Sequence, residues 1–211
     1  EHEAWVARDV HGERILKVLA VFGANGAGKS NLLEAFAAMQ RFINLSLLGK
    51  SWLSIWAKES SLQPFAFIDK QSPSHFEATF SIAGEIYKYG FCANEEIILQ
   101  EYLYVRNKSI KKEQFETIFF VQEEQVIECD DAFAETVEIF KKKGRNALFL
   151  CAAASVDNIL AKEIYNWFSN VCILDYNSDW MKGDISQVVT LSPLIQIIMD
   201  SSKKARLMHF I

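Results

Sequence analysis

Residues 23–30 read Gly-Ala-Asn-Gly-Ala-Gly-Lys-Ser, in which two glycines five positions apart are followed by lysine and serine. An apolar run at 15–22 precedes this stretch, and residues 31–42 carry apolar side chains at helical spacing. We therefore predict a buried strand, a glycine loop and a helix, which is the order that a phosphate-binding loop requires. The alternative is a glycine turn that packs a helix onto a strand without binding a nucleotide.

The residue types of this loop suit a polyphosphate. Glycines at 23, 26 and 28 permit positive φ angles and leave no side chain between the backbone N–H groups and a phosphate. The helix that follows adds the positive end of its dipole. We predict that Lys29 reaches the β- and γ-phosphates and that the Ser30 hydroxyl is a ligand of Mg²⁺. The predicted cofactors are ATP, with GTP left open, and Mg²⁺, and the predicted binding residues are Gly23, Asn25, Gly26, Ala27, Gly28, Lys29, Ser30 and Asn31.

Composition predicts a folded chain with a sizeable core. Half of the 211 residues are apolar, and they include 16 Phe and 5 Trp. The net charge of −5 argues against a surface that is basic overall, so contact with nucleic acid would need a local patch. The four cysteines and four histidines show no metal-binding spacing, and Cys151 and Cys172 read as small core residues. No signal peptide or membrane span is predicted, so we expect a soluble, cytoplasmic protein.

The middle of the chain has the alternating pattern of strands. It predicts an antiparallel β-meander with strands at 75–82, 86–92, 97–106 and 114–122. Four tyrosines in these runs are predicted to form cross-strand packing pairs, although an exposed face of them could stack a base: Tyr87, Tyr89, Tyr102 and Tyr104.

Segments with helical spacing of apolar residues precede and follow the meander in the sequence. A short helix is predicted at 47–57, where Trp52 and Trp56 read as one packed side or as a docking face. After the meander we predict a buried segment at 147–154, a short strand at 171–175, and helices at 126–143, capped by Asp130 or Asp131, at 156–168 and at 192–206. This organisation predicts three parts: a P-loop core at 1–63, a β-meander subdomain at 64–125 and a helical segment at 126–211.

The fifteen residues 21–35, Val-Phe-Gly-Ala-Asn-Gly-Ala-Gly-Lys-Ser-Asn-Leu-Leu-Glu-Ala, resemble the signature of prokaryotic ABC-type ATPases of the RecF, SMC and OLD kind. They are most similar to AbiLii-type AAA family ATP-binding proteins. Weaker resemblance continues through residues 64–65, 76–77, 87–91, 101–104 and 146–150. The resemblance implies an α/β fold: a P-loop NTPase with an ABC-ATPase-like lobe, an antiparallel β-meander and a helical segment.

In this family ATP is held by the loop of one subunit and closed over by a signature motif from a second. The resemblance therefore implies a head-to-head homodimer whose ATP-dependent formation and ATP hydrolysis drive a partner activity in phage defence or a DNA transaction. The partner could be a nuclease, a toxin or DNA, and no membrane is implied. Two alternatives stay open: a self-contained P-loop kinase, and a regulatory module that only binds nucleotide.

The sequence departs from the family pattern after residue 150. Either Ser155 stands where a glutamine of the family would touch Mg²⁺ and the attacking water, or the register differs here. No Ser-Gly signature motif follows, and the nearest acidic strand, 171–175, is followed by Tyr176 where glutamate is wanted. We expect the chain to be the N-terminal part of a longer protein whose C-terminal lobe carries the catalytic acids. We therefore assign no catalytic residue and expect this chain alone to hydrolyse ATP hardly at all.

Overall fold

The computed structural model describes residues 6–8, 14–16, 19–46, 72–94, 97–106, 114–123, 125–143 and 147–171. The chain divides into two compact units, Glu1–Phe168 and Ser169–Ile211, and only residues 169–171 of the second unit are described. The described strands are β1 (Val6–Arg8), β2 (Arg14–Leu16), β3 (Ser74–Ile82), β4 (Glu85–Ala93), β5 (Ile98–Arg106), β6 (Phe115–Gln122) and β7 (Gln125–Cys129). The described helices are α1 (Lys29–Leu45), α2 (Ala134–Lys143), α3 (Phe149–Ala154) and α4 (Ile159–Ser169), with a 3₁₀ turn at Asp131–Phe133.

Strands β3 to β7 form one antiparallel sheet in which each strand pairs with the next along the chain. The hairpin between β3 and β4 turns through Ala83 and Gly84, whose φ angles of 50° and 87° are both positive, as a tight two-residue hairpin requires. The predicted meander is therefore confirmed in its four strands, with ends that differ by one residue. Strands β1 and β2 form a separate antiparallel ribbon.

The sheet has a fifth strand where a helix was expected. The prediction of a helix from residue 126 is wrong at its start, because β7 pairs with β6 and places Val126 opposite Val121. Val126 packs against the core while the β-branched Ile127 beside it is exposed, which is the period of two typical of a strand.

Two helices begin at side-chain caps. Asp130, one of the two predicted caps, accepts a hydrogen bond from the Ala132 N–H at 2.9 Å and so starts the 3₁₀ turn ahead of α2. Asn158 accepts one from the Ala161 N–H at 3.0 Å, so α4 begins three residues later than the predicted helix at 156–168. The left-handed φ of 66° at Asp157 interrupts helical backbone just before this cap.

The core lies between α1 and one face of the sheet. The Phe42 ring on α1 lies 4.9 Å from the Phe91 ring and 6.0 Å from the Phe76 ring, both on the sheet. Helix α4 joins the same core, since Gln40 on α1 donates a hydrogen bond to the Phe168 carbonyl at 2.7 Å. Burial of each such aromatic side chain stabilises the fold by about 1.5–3 kcal/mol. The largest fully buried side chains are Tyr89, Phe42, Phe91, Phe119, Phe133, Phe149, Phe168, Ile43, Leu103, Leu148 and Leu150.

A buried carboxylate joins the sheet to α3. Glu101 on β5 is only 1% exposed, and it accepts hydrogen bonds from the N–H groups of Phe149 at 2.5 Å and Leu150 at 2.9 Å. The Tyr89 hydroxyl donates a third at 3.0 Å. Burial raises the pKa of Glu101 to about 7, although all three donors act to lower it. Glu101 thus satisfies the first two N–H groups of a helix whose cap residue offers no side-chain bond.

The end of α1 is tied to the same helix. The Ser46 hydroxyl accepts a hydrogen bond from the Leu148 N–H at 2.6 Å, and the Cys151 thiol donates to the Ile43 carbonyl at 3.2 Å. The predicted burial of residues 147–154 and the core role of Cys151 are confirmed. The helix that follows the glycine loop is therefore fixed at its far end by side-chain contacts with α3.

The strand predicted at 15–22 does not form as one element. β2 ends at Leu16, and residues 19–22 have no regular structure. Leu19, Val21 and Phe22 are 72%, 52% and 90% exposed, which contradicts the predicted burial. A buried strand needs hydrogen-bonded neighbours, and no described strand pairs with these residues.

The tyrosines do not pair across strands as predicted. Tyr87 and Tyr89 belong to the core, and the register places Leu103, rather than a tyrosine, opposite Tyr89. Because side chains alternate along a strand, Tyr102 and Tyr104 lie on the other face. There the two rings stack on each other within β5, with centroids 4.9 Å apart.

Several predictions fall outside the described residues. These are the helix at 47–57 with Trp52 and Trp56, Cys172, the helix at 192–206 and all of the strand at 171–175 except its first residue. The boundaries of the three predicted parts stay a prediction. None of the described helices combines the length and the apolar character that crossing a membrane demands.

Candidate functional site

The loop at 23–30 is built around two glycines in the left-handed region. Gly26 and Gly28 have φ angles of 81° and 84°, which side-chain-bearing residues rarely adopt. A Cβ atom on either would meet nothing within 4 Å, so the space beside the backbone is open. Gly23, which could also adopt a positive φ, does not do so, and its Cβ would lie at an ordinary 3.4 Å from that of Ala27.

Helix α1 begins at Lys29, two residues earlier than predicted, so Lys29 and Ser30 belong to its first turn. Gly28 is the N-cap residue and has no side chain that could bond to the turn. The first N–H groups of a helix have no partner within it, and the dipole makes this end positive. The helix start can therefore accept an anion.

The Lys29 side chain lies across the loop. Its ammonium group donates hydrogen bonds to the carbonyl oxygens of Gly23 at 2.8 Å and Ala24 at 2.7 Å. The charge is therefore held next to the backbone that a phosphate would approach. A phosphate would have to replace these carbonyl oxygens as the partner of Lys29.

The other predicted binding residues lie in the same exposed stretch. Asn25, Ser30 and Asn31 are exposed, whereas the Ala27 N–H is used in a turn and donates to the Ala24 carbonyl at 3.2 Å. No group of three or more metal-ligating side chains occurs in the described parts of the chain. Mg²⁺ commonly takes one or two protein ligands and completes its shell with phosphates and water, so a serine hydroxyl suits it. The open glycine backbone, the lysine and the serine together fit a nucleotide with its metal.

The predicted substitute for the family's glutamine has a local role. Ser155 is exposed at the end of α3, where its hydroxyl donates a hydrogen bond to the Ala152 carbonyl at 2.6 Å. Its part in a nucleotide site stays a prediction. The strand at 171–175 lies outside the described residues apart from Val171.

Sequence reasoning missed the buried carboxylate of Glu101, which helps to hold the helix of the loop in place through α3. A signal for it was present, because Glu101 occupies the same alternate position in its strand as Leu103 and Val105. A glutamate on the core side of a strand requires buried donors. Those donors lie 48 and 49 residues further along the chain, where no local pattern indicates them.

A left-handed glycine loop followed directly by lysine and serine in the first helical turn, in a mixed α/β frame, defines a P-loop NTPase. Residues 18–142, more than half of the chain, match the sequence model of the family described as "AAA domain, putative AbiEii toxin, Type IV TA system". The chain belongs to this family of P-loop ATPases. It matches no curated protein and no solved structure.

Proposed function

We propose that the chain is the ATP-binding head of an ABC-type ATPase of the RecF, SMC and OLD kind. The observation that carries the proposal is the loop, with Lys29 and Ser30 in the helical turn that follows a left-handed Gly28. An antiparallel sheet packed on the loop's helix supports the ABC-type form over a self-contained kinase, whose fold has no place for such a sheet.

In this proposal the chain's own residues bind and orient the triphosphate. The backbone at Gly26 and Gly28 admits the phosphates without steric hindrance, and the N–H groups of the α1 start donate to them. Lys29 exchanges its two carbonyl partners for phosphate oxygens, and Ser30 is a ligand of Mg²⁺. The nucleotide-bound metal supplies charge neutralisation for phosphoryl transfer.

We further propose that ATP brings two heads together and that hydrolysis in this dimer drives a partner activity. The partner would be a nuclease, a toxin or DNA. The family description, which names an AbiEii toxin and a type IV TA system, supports a role in phage defence. The alternative is a regulatory module that only binds nucleotide. Such a module would not hydrolyse ATP in the dimer.

Calorimetric titration with ATP and Mg²⁺ tests the binding site directly. We expect Lys29→Ala to weaken ATP binding by about 10- to 100-fold, because one charge-assisted contact contributes about 1.5–3 kcal/mol. Lys162→Ala is the matched control, since Lys162 pairs with Asp157 outside the loop. Equal affinity in the native protein and Lys29→Ala would contradict the proposed site.

A further inference from the structure

A groove with a volume of about 760 Å³ lies away from the glycine loop. Its walls come from the start of β4, the end of β5, strand β6, the turn at 130–136 and the segment at 156–163. Its floor is apolar, and the floor side chains are Tyr87, Val105, Ile118, Phe133, Val156 and Leu160. Ile159 stands at its edge with 77% of its surface exposed.

The rim of this groove is acidic. It carries Glu85, Asp130, Glu135, Asp157 and Glu163, and none of the described lysine, arginine or histidine residues lines it. Asp130 is engaged as a helix cap and Asp157 in an ion pair, but Glu135 and Glu163 are exposed and have no ion pair with any described residue.

The carboxylates are spread along the groove. Although five of them line it, no three acidic, histidine or cysteine side chains in the described regions are close enough to hold a metal ion. Glu85 and Glu163 line the same groove as Tyr87, whose pKa is raised by burial and further by the charges of these two carboxylates. This arrangement suits several separate cations above an apolar surface better than a single ion.

We propose that this groove docks a basic amphipathic segment of a partner protein. The apolar face of such a segment would cover the floor and Ile159, while its lysine or arginine side chains would reach the rim carboxylates. Charge complementarity selects this occupant, because an acidic segment would be repelled and an uncharged one would leave Glu135 and Glu163 without counterions. The overall charge of −5 also attracts a basic partner before contact.

The test uses the full chain and a fluorescein-labelled helical peptide of about 18 residues, composed of leucine on one face and lysine on the other. Binding is followed by fluorescence anisotropy. We expect the double variant Glu135→Gln, Glu163→Gln to weaken binding about tenfold. The control double variant Glu123→Gln, Glu128→Gln removes the same charge from exposed positions outside the groove and should change affinity less than about twofold.

A second variant tests the apolar contact. Ile159→Ser should weaken peptide binding several-fold with the fold intact, because the Ile159 side chain is mostly exposed. Absent binding, or equal loss in the groove and control double variants, would overturn the proposal. Light scattering of the protein alone would also overturn it if the native chain self-associates and the groove variant does not, since the groove would then join two copies of this chain.

Discussion

At the scale of single residues, the loop glycines differ in what a side chain would cost. Gly28→Ala forces a Cβ into a left-handed conformation, which costs about 1–2 kcal/mol, whereas the φ of Gly23 imposes no such strain. We expect Gly28→Ala to lower the free energy of unfolding by this amount and to weaken ATP binding. Urea unfolding and calorimetry measure the two effects.

Gly23→Ala is the matched control for that change. Its added Cβ would lie 3.4 Å from the Ala27 Cβ, an ordinary contact, so the free energy of unfolding should change by less than about 0.5 kcal/mol. If both substitutions destabilised the chain equally, the left-handed backbone at Gly28 would not be the cause.

Gly90 on β4 has no room for a Cβ atom. That atom would lie 2.5 Å from the Tyr102 hydroxyl oxygen and 2.8 Å from the Phe76 carbonyl oxygen. Because the carbonyl belongs to the paired strand, it cannot move aside without disturbing the sheet. We expect Gly90→Ala to reduce the free energy of unfolding by about 1–3 kcal/mol in urea titration. A native-like midpoint would show that the Tyr102 ring does not lie over Gly90.

The role of a residue can be predicted from the sequence when the residues it acts with are near it in the chain. Lys29 and Ser30 follow from a motif in which every member is a near neighbour. Glu101 does not, because its hydrogen-bond donors are brought to it only by the packing of α3 on the sheet.

At the scale of elements, the junction between β5 and α3 makes stability depend on pH. Burial raises the pKa of Glu101 from an ordinary 4.5 to about 7, so the folded chain binds this proton more tightly than the unfolded chain. The stability that this tighter proton binding adds is fully present below about pH 4.5 and is lost as the pH rises through 7. We expect the free energy of unfolding to fall by up to about 3 kcal/mol across this window, measured by urea unfolding at several pH values.

Glu101→Gln separates this effect from other titrations. The amide carries no titrating proton, so the fall between pH 4.5 and 7 should largely disappear in that variant. Glu123→Gln, at an exposed position, should retain the native slope. An unchanged slope in Glu101→Gln would assign the pH dependence to other groups.

Helices and strands with a clear hydrophobic period were predictable. Elements whose structure depends on the elements beside them were not. The loop's helix and four strands of the meander follow from alternation or helical spacing. β7 was missed because its five residues run directly into the cap and helix that follow, so one helical pattern covered both. The strand predicted at 15–22 depended on partners that the described sheet does not provide.

At the scale of the whole molecule, the proposed dimer predicts a change in mass. With Mg²⁺ and ATP, light scattering should show particles of about twice the 24.1 kDa chain, because the nucleotide would lie between two heads. Lys29→Ala should remain at the mass of one chain under the same conditions. If the native protein binds ATP by calorimetry but its mass does not change, ATP-dependent dimerisation of this chain is contradicted.

The fold class and the class of site were predictable at this scale because both depend on the loop and the meander. The acidic groove was not, because its walls come from residues between 85 and 163 that only the packed fold brings together.

The two hydrogen bonds from Lys29 to carbonyl oxygens also affect which anions can bind to the loop when salt is present. A monovalent ion such as chloride offers the ammonium group one contact in exchange for two. A triphosphate tail presents several charged oxygens at once, to Lys29 and to the helix start together. We therefore expect small anions to compete poorly with a triphosphate for this loop, because they bring fewer oxygens to the same donors.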